Sequence, residues 1–235
     1  GIVNFGYDKT AVMDVKGVKV GLVGIYELKD HLEREQQLKD NIAKVKAEGA
    51  QLIVVIFHWG NEKETCPDSN QTTLGRLAID EGADLVIASC HWGIEGDHYP
   101  NSYQQEMAHQ VIDWGADVLI GSHPHVLQGV ELYNGKVICY SLGNFCFGGN
   151  RNPKVKDTAI YQQTFTFSDG IQKDISADII PCTISSTTAR NDFQPTVAEG
   201  ERKQAILDDM NDYSKPYSQA GFDSSGKLMV LEEEE

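Results

Sequence analysis

An α/β fold built on parallel strands follows from three features of the sequence. Continuous β-branched runs alternate with segments of helical periodicity. A strand–loop–helix unit recurs at a fixed spacing of 33 residues. Histidines cluster where the β-runs end, and open α/β sheets bind their ligands outside the carboxyl ends of their strands.

The elements follow in order. Gly17–Tyr26 is apolar and β-rich, which predicts a buried strand. From Leu32 to Glu48 the segment is charged, with Leu32, Leu38, Ile42 and Val45 at helical spacing, so an amphipathic helix is expected. The run Gln51–Phe57 fits a parallel strand buried on both faces. The chain then repeats itself: Glu48-Gly-Ala-Gln-Leu-Ile-Val-Val-Ile-Phe-His-Trp-Gly60 is followed by Glu81-Gly-Ala-Asp-Leu-Val-Ile-Ala-Ser-Cys-His-Trp-Gly93. His58 and His91, Glu62 and Glu95, and Pro67 and Pro100 all keep the same offset. The full units span 48–80 and 81–113, and a partial third copy starts at Trp114-Gly-Ala-Asp-Val-Leu-Ile-Gly-Ser-His123. Solenoids need about three full units, and the flanks do not repeat. A local duplication of one βα unit within a sheet is the better reading.

The second half is β-rich. Asn134-Gly135 between two strand-like runs signals a hairpin. Lys136–Phe147, Thr158–Phe167 and Ile175–Ile184 read as strands, with a turn at Ser168–Gly170. Beyond Ser185 the chain turns polar, with a short helix at Glu201–Asp212 and a weakly ordered tail after it. One domain is therefore expected over 1–184, with a polar extension over 185–235.

Composition sets limits. The 235 residues are 40% hydrophobic and 23% charged, ordinary globular usage, and suffice for a sizeable core. The net charge of −15 repels phosphate backbones and excludes general nucleic-acid binding. An acidic protein still takes an anionic ligand through a bound cation. Part of the excess lies in Glu232–Glu235, a run that reads as solvated. The five cysteines, Cys66, Cys90, Cys139, Cys146 and Cys182, form no C-x-x-C pair. They read as buried free thiols, with Cys90, Cys139 and Cys146 in apolar runs. No apolar stretch approaches the length of a membrane span. The chain starts at Gly1 without Met, so a portion of a longer protein is expected, with any anchor elsewhere.

The chemistry concentrates in histidines. His58, His91, His123 and His125 all fall at or just past a strand end. A lone histidine there is ordinarily packed and hydrogen-bonded; four in related positions point instead to groups that reach a metal or a substrate. In Ser122-His-Pro-His125, two imidazoles flank a proline that fixes the backbone. They suit two neighbouring metals, or one metal and a leaving group, and with carboxylates they favour zinc, manganese or iron. Glu95 in His91-Trp-Gly-Ile-Glu95 has three readings: an orienter of a ligating histidine, a contact to a sugar or amine, or a solvent-facing acid. Trp92 stacks on substrate or, the preferred reading, fills the core. Asn144 contacts substrate at another strand end or simply forms a turn. The sequence contains no P-loop, G-x-G-x-x-G, G-x-S-x-G or H-E-x-x-H.

Three ordered motifs carry a family resemblance: His91-Trp-Gly-x-Glu95, Gly115-Ala-Asp-Val-Leu-Ile-Gly-Ser-His-Pro-His-Val-Leu-Gln128 and Tyr140-Ser-Leu-Gly-Asn-Phe145. Over about Gly17–Phe147 the chain resembles the bacterial CapA family of poly-γ-glutamate capsule biosynthesis, within the calcineurin-like metallophosphoesterase superfamily. The resemblance implies an α/β-β-α sandwich with a metal centre at the strand ends, here incomplete at the N-terminus and carrying the duplicated unit. It implies divalent metal (Mn, Fe or Zn) on His91, His123 and His125, with His58 a displaced copy or supplementary ligand. It also implies metal-dependent hydrolysis or transfer, with His125 and Glu95 as candidate catalytic groups. Trp92 and Asn144 are candidate contacts to an anionic polymer or phosphorylated small substrate. Other capsule-synthesis proteins are expected partners, in the cell envelope or outside it. The alternative is a non-catalytic capsule-assembly or polymer-binding component. The family's N-terminal Gly-Asp and its Asn-Asn-His segment are absent from these residues, so a depleted dinuclear site is expected.

Overall fold

The computed structural model describes residues 2–27, 31–60, 69–168 and 171–230. Glu62, Cys66, Pro67 and the terminal acidic run lie outside them. The chain divides into two compact units: Gly1–Gly93, Asn101–Ser122 and Tyr133–Ile138 in the first, and Ile94–Pro100, His123–Leu132 and Cys139–Glu235 in the second.

The first unit is a mixed α/β layer structure. Its sheet holds β1 (Ala11–Val15), β2 (Val18–Glu27), β3 (Leu52–Trp59), β4 (Leu85–His91) and β5 (Val118–Ser122) side by side. β1 is antiparallel to β2, and β2 to β5 are mutually parallel. Helices α1 (His31–Ala47), α2 (Ser69–Asp80) and α3 (Ser102–Asp113) make the crossovers. α1 packs on β2 and α2, α2 on β3, β4 and α3, and α3 on β5, so the helices form one layer. That layer takes the apolar stripe expected from the periodicity: Leu38, Ile42 and Val45 of α1 and Ala108, Val111 and Ile112 of α3 are buried.

One strand face is sealed: Val23 and Ile25, Val55, Phe57 and Trp59, and Val86, Ala88 and Cys90 are buried. On the other face Val54, Leu85 and Val118 are buried where the strands begin, while Ile56, His58, Ile87, Ser89 and His91 toward the carboxyl ends are half-buried. The expected strand buried on both faces is thus found in the first part of β3, and its second face opens toward the strand end.

The repeat has a physical explanation. Each copy of Gly-Ala-Asp, or Gly-Ala-Gln in the first, ends a helix and starts a strand. Gly49, Gly82 and Gly115 sit at φ +87, +91 and +110, and each following alanine donates back five residues, to Val45, Ala78 and Val111. These are Schellman caps, which need the left-handed conformation that glycine supplies without penalty. The next residue then clamps the neighbouring strand with two bonds. Asp84 N–H donates to Ile53 O at 2.9 Å, and its Oδ2 accepts from Ile53 N–H at 2.7 Å. Asp117 does the same to Val86, at 2.8 Å for both bonds, and Gln51 to Lys19, at 2.7 and 3.0 Å. Asp84→Ala leaves the Ile53 N–H without its acceptor, and a loss of about 1–3 kcal/mol is expected. Urea denaturation reads this directly, and an unchanged midpoint removes the clamp from the account.

The second unit is β-rich. Its main feature is a long ribbon of β8 (Asp157–Ser168) and β9 (Ile171–Thr183), with β10 (Thr196–Val197) on the other edge of β9. The helix after it runs over Gly200–Ser214 (α4) and buries Ile206, Leu207 and Met210. The segment expected as a weakly ordered tail instead forms the hairpin of β11 (Ala220–Phe222) and β12 (Leu228–Val230). Its Ala220 and Phe222 are buried, and Asn211 holds both backbone groups of Phe222. The expected turn, which belongs to the first unit, occurs at Asn134 and Gly135, both at positive φ, between β6 (Val130–Tyr133) and β7 (Lys136–Cys139). β7 stops at Cys139 rather than running on to Phe147, because the chain kinks through Gly143 at φ +72. Cys90, Cys139 and Cys182 are buried free thiols, the first two held well above their usual pKa by desolvation, whereas Cys146 is exposed on the loop after that kink. No helix among the described residues is long and apolar enough to cross a membrane.

Candidate metal centre

Three loops of the second unit build the site. The loop after β4 carries Glu95, and Gly96 N–H donates to Pro124 O at 2.8 Å. This ties Glu95 to the His123-Pro124-His125 turn. Both histidines of that turn have left-handed backbones, His123 at φ +95 and His125 at φ +59. Such values outside glycine cost on the order of 1–3 kcal/mol each and concentrate at functional sites. The third loop, Ser141–Asn144, is fastened alongside. Ser141 Oγ donates to Val126 O at 2.7 Å, Gln128 N–H donates to Ser141 O at 3.0 Å, and Thr158 Oγ1 donates to Leu142 O at 2.8 Å.

These loops bring Glu95, His123 and His125 together, with one ligand atom from each within 4.8 Å of the others. Glu95 is exposed and both histidines are half-buried. Donors around one ion sit about 3–4 Å apart when bond lengths are about 2 Å, and the observed spacing is close to that range. Two imidazoles and a carboxylate are a donor set for zinc, manganese or iron.

Asn144 fixes the state of His125. Its Nδ2 donates to the His125 carbonyl at 3.2 Å, so its Oδ1 faces the ring, 2.7 Å from Nδ1. An amide oxygen only accepts, so Nδ1 is the donor in this pair, and Nε2 is the nitrogen turned away from Asn144. Orienting partners of this kind set both the tautomer and the rotation of a ligating histidine. The sequence offered Asn144 as a substrate contact or a turn residue; in the structure its side chain is committed to His125. Phe147, with its ring centroid 4.8 Å from that of His125, packs on the same imidazole.

The other candidates lie in the first unit. His58 and His91 occupy one sheet face at neighbouring strand ends, with ring centroids 6.2 Å apart. His58 stacks on Tyr26 at 5.1 Å, and burial lowers its pKa. Gly60 lets the backbones of the two strand ends come together, since a Cβ there would overlap the His91 carbonyl oxygen. Trp92 is fully enclosed, which fits the packing alternative and leaves no ring face for a substrate. Of the predicted set, Glu95, His123, His125 and Asn144 belong to the second unit, and His58 and His91 to the first.

Comparison with known proteins bears on this arrangement. The family model described as "Bacterial capsule synthesis protein PGA_cap" matches residues 3–89 and 83–149, more than half of the chain. The chain belongs to this capsule synthesis family. Both matched segments cover residues 83–89, within the start of the second repeat unit. Among curated relatives, PGA biosynthesis protein CapA of Bacillus subtilis (strain 168) is 48% identical over 113 residues, 48% of this chain and 21% of that protein. Capsule biosynthesis protein CapA of Bacillus anthracis is 45% identical over 117 residues, 50% of this chain and 20% of that protein. The chain spans about a fifth of the length of these relatives. Among solved structures, that of a hypothetical protein from Thermus thermophilus aligns with 73% of this chain and 61% of its own, at 16% identity and a TM-score of 0.35. In this capsule synthesis chain, every residue of the metal cluster lies within the segment that matches the family model.

Proposed function

We propose that this chain carries one metal position of a CapA-type capsule (poly-γ-glutamate) biosynthesis protein, with Glu95, His123 and His125 as ligands, and acts in metal-dependent hydrolysis or transfer. The observation that carries the reading is the His125–Asn144 pair: a histidine whose Nδ1–H is tied to an amide oxygen presents Nε2 beside a second imidazole and a carboxylate. A divalent ion bound there supplies Lewis-acid polarisation of a phosphoryl or acyl oxygen and activation of water. His123 and His125 hold the ion, and Glu95, the exposed donor, contributes the charge. With one nitrogen on Asn144 and the other on metal, His125 has none left to move a proton, so its roles as ligand and as general acid are alternatives. Glu95 faces the same choice between ligand and base. His91 remains a further candidate ligand by family analogy, with His58 beside it as a displaced copy or supplementary ligand, their ring centroids 6.2 Å apart. The calcineurin-like sandwich is part of the proposal too, supported by a mostly parallel sheet with helices on one face. So are the cell-envelope location, the anionic polymer or phosphorylated substrate, and partnership with other capsule-synthesis proteins.

One observation favours the alternative of a non-catalytic assembly or polymer-binding component. A dinuclear centre needs a bridging carboxylate, and Asp84 and Asp117 are both committed to strand clamps. Asp117 also pairs with Lys136 at 2.6 Å. Metal analysis separates the readings. The chain purified without chelators is expected to hold close to one equivalent of Mn, Fe or Zn. Asn144→Ala is expected to stay folded and to bind that metal about 10–100-fold more weakly. A chain that takes up no metal after reconstitution supports the assembly role instead.

A further inference from the structure

A cavity of about 480 Å³ opens beside the metal cluster, within the second unit. Glu95, His125 and Asn144 line it at one end, Phe147 and Val155 form apolar wall, and Lys154 also lines it. Its volume suits a small ligand or a short segment of polymer. Lys154 is uncommitted, whereas Lys156 donates to Thr188 O at 2.8 Å and Arg202 pairs with Asp157. Among the described residues Lys154 has no hydrogen-bond or ion-pair partner, and it is exposed. In a chain of net charge −15, an anion reaching this cavity meets long-range repulsion, and the Glu95 carboxylate adds to it at short range. A divalent ion on the cluster reverses the sign there, and Lys154 places a second positive charge on the cavity wall.

We propose that Lys154 is a specificity-determining residue of this cavity and receives an acid group of the ligand, a carboxylate or a phosphate. The inference rests on the metal-centre reading and deepens it: the ligand presents one polar group to the Glu95–His123–His125 cluster and an anionic group to Lys154, across a short apolar stem. Glutarate, its neutral diamide glutaramide and inorganic phosphate serve as probes, titrated calorimetrically into the manganese-loaded wild-type chain and the Lys154→Gln and Lys154→Arg variants. Metal content is read first. Equal metal in all three proteins, with glutarate or phosphate bound roughly tenfold or more weakly by Lys154→Gln, bears out the proposal. Glutaramide should bind all three proteins alike, and Lys154→Arg should keep most of the anion affinity. Loss confined to glutarate names a carboxylate as the natural group, and loss confined to phosphate names a phosphate. Undiminished binding of both anions by Lys154→Gln overturns the proposal while the metal reading stands, as does a metal-loaded wild type that binds neither. A wild type that holds no metal overturns the metal reading first, and this inference with it.

Discussion

His123→Ala/His125→Ala is expected to fold and to lose its metal, falling from close to one equivalent to below about a tenth. The two parts of this result have separate causes. Folding survives because the turn is held by backbone and by other side chains: Gly96 to Pro124, Ser141 to Val126 and Gln128 to Ser141. Both rings are only half-buried, so their truncation leaves no deep cavity. Metal binding does not survive, because one carboxylate on an exposed loop cannot hold a divalent ion against water. The paired variant His58→Ala/His91→Ala shows which histidines matter. Retained metal places the ion on the second unit's cluster, and metal lost only in this variant moves it to the first unit. Circular dichroism on each variant keeps loss of metal distinct from loss of fold.

Trp92→Ala is expected to cost about 3–5 kcal/mol of stability. The indole is among the largest side chains with no exposure, so truncation leaves a cavity as well as losing its transfer free energy. The N–H of Trp92 donates to Ser122 O at 3.1 Å, so the ring anchors backbone already tied across β4 and β5. The neighbouring Gly93 is equally constrained, since a Cβ there would sit 2.8 Å from Gln104 Oε1, a side chain that caps α3 through Asn101. A substrate-stacking tryptophan would behave oppositely: truncation would weaken binding and leave the denaturation midpoint unchanged. Chemical denaturation beside a metal measurement therefore decides between the two roles the sequence allowed for this residue.

The parts of the fold readable in the sequence are those set by local rules. The helix expected from Leu32 to Glu48 is His31–Ala47, because Leu38, Ile42 and Val45 report their own burial through spacing. The Asn134-Gly135 turn is written in residues that tolerate positive φ. The 33-residue repeat was visible as a pattern, but its cause was not: Schellman caps and strand clamps become evident only when Asp84 and Ile53 are seen side by side. What the sequence could not show depends on contacts between distant residues. Asn144 lies 19 residues from His125, and nothing local says that its amide reads a histidine ring. The run through Phe147 has the composition of a strand, yet Gly143 and the bonds around Ser141 turn it into a site loop and leave Cys146 exposed. The hairpin after α4 was hidden for a similar reason, since its burial comes from packing on that helix rather than from its own periodicity.

Anomalous diffraction from crystals grown with manganese tests the central claim most directly, because it locates the ion rather than counting it. One strong peak is expected, bonded to Glu95, to His123 and to Nε2 of His125, with Nδ1 of His125 still held by Asn144. A peak at His58 and His91 with none at this cluster, or a cluster in which Nδ1 of His125 faces the ion, would contradict it.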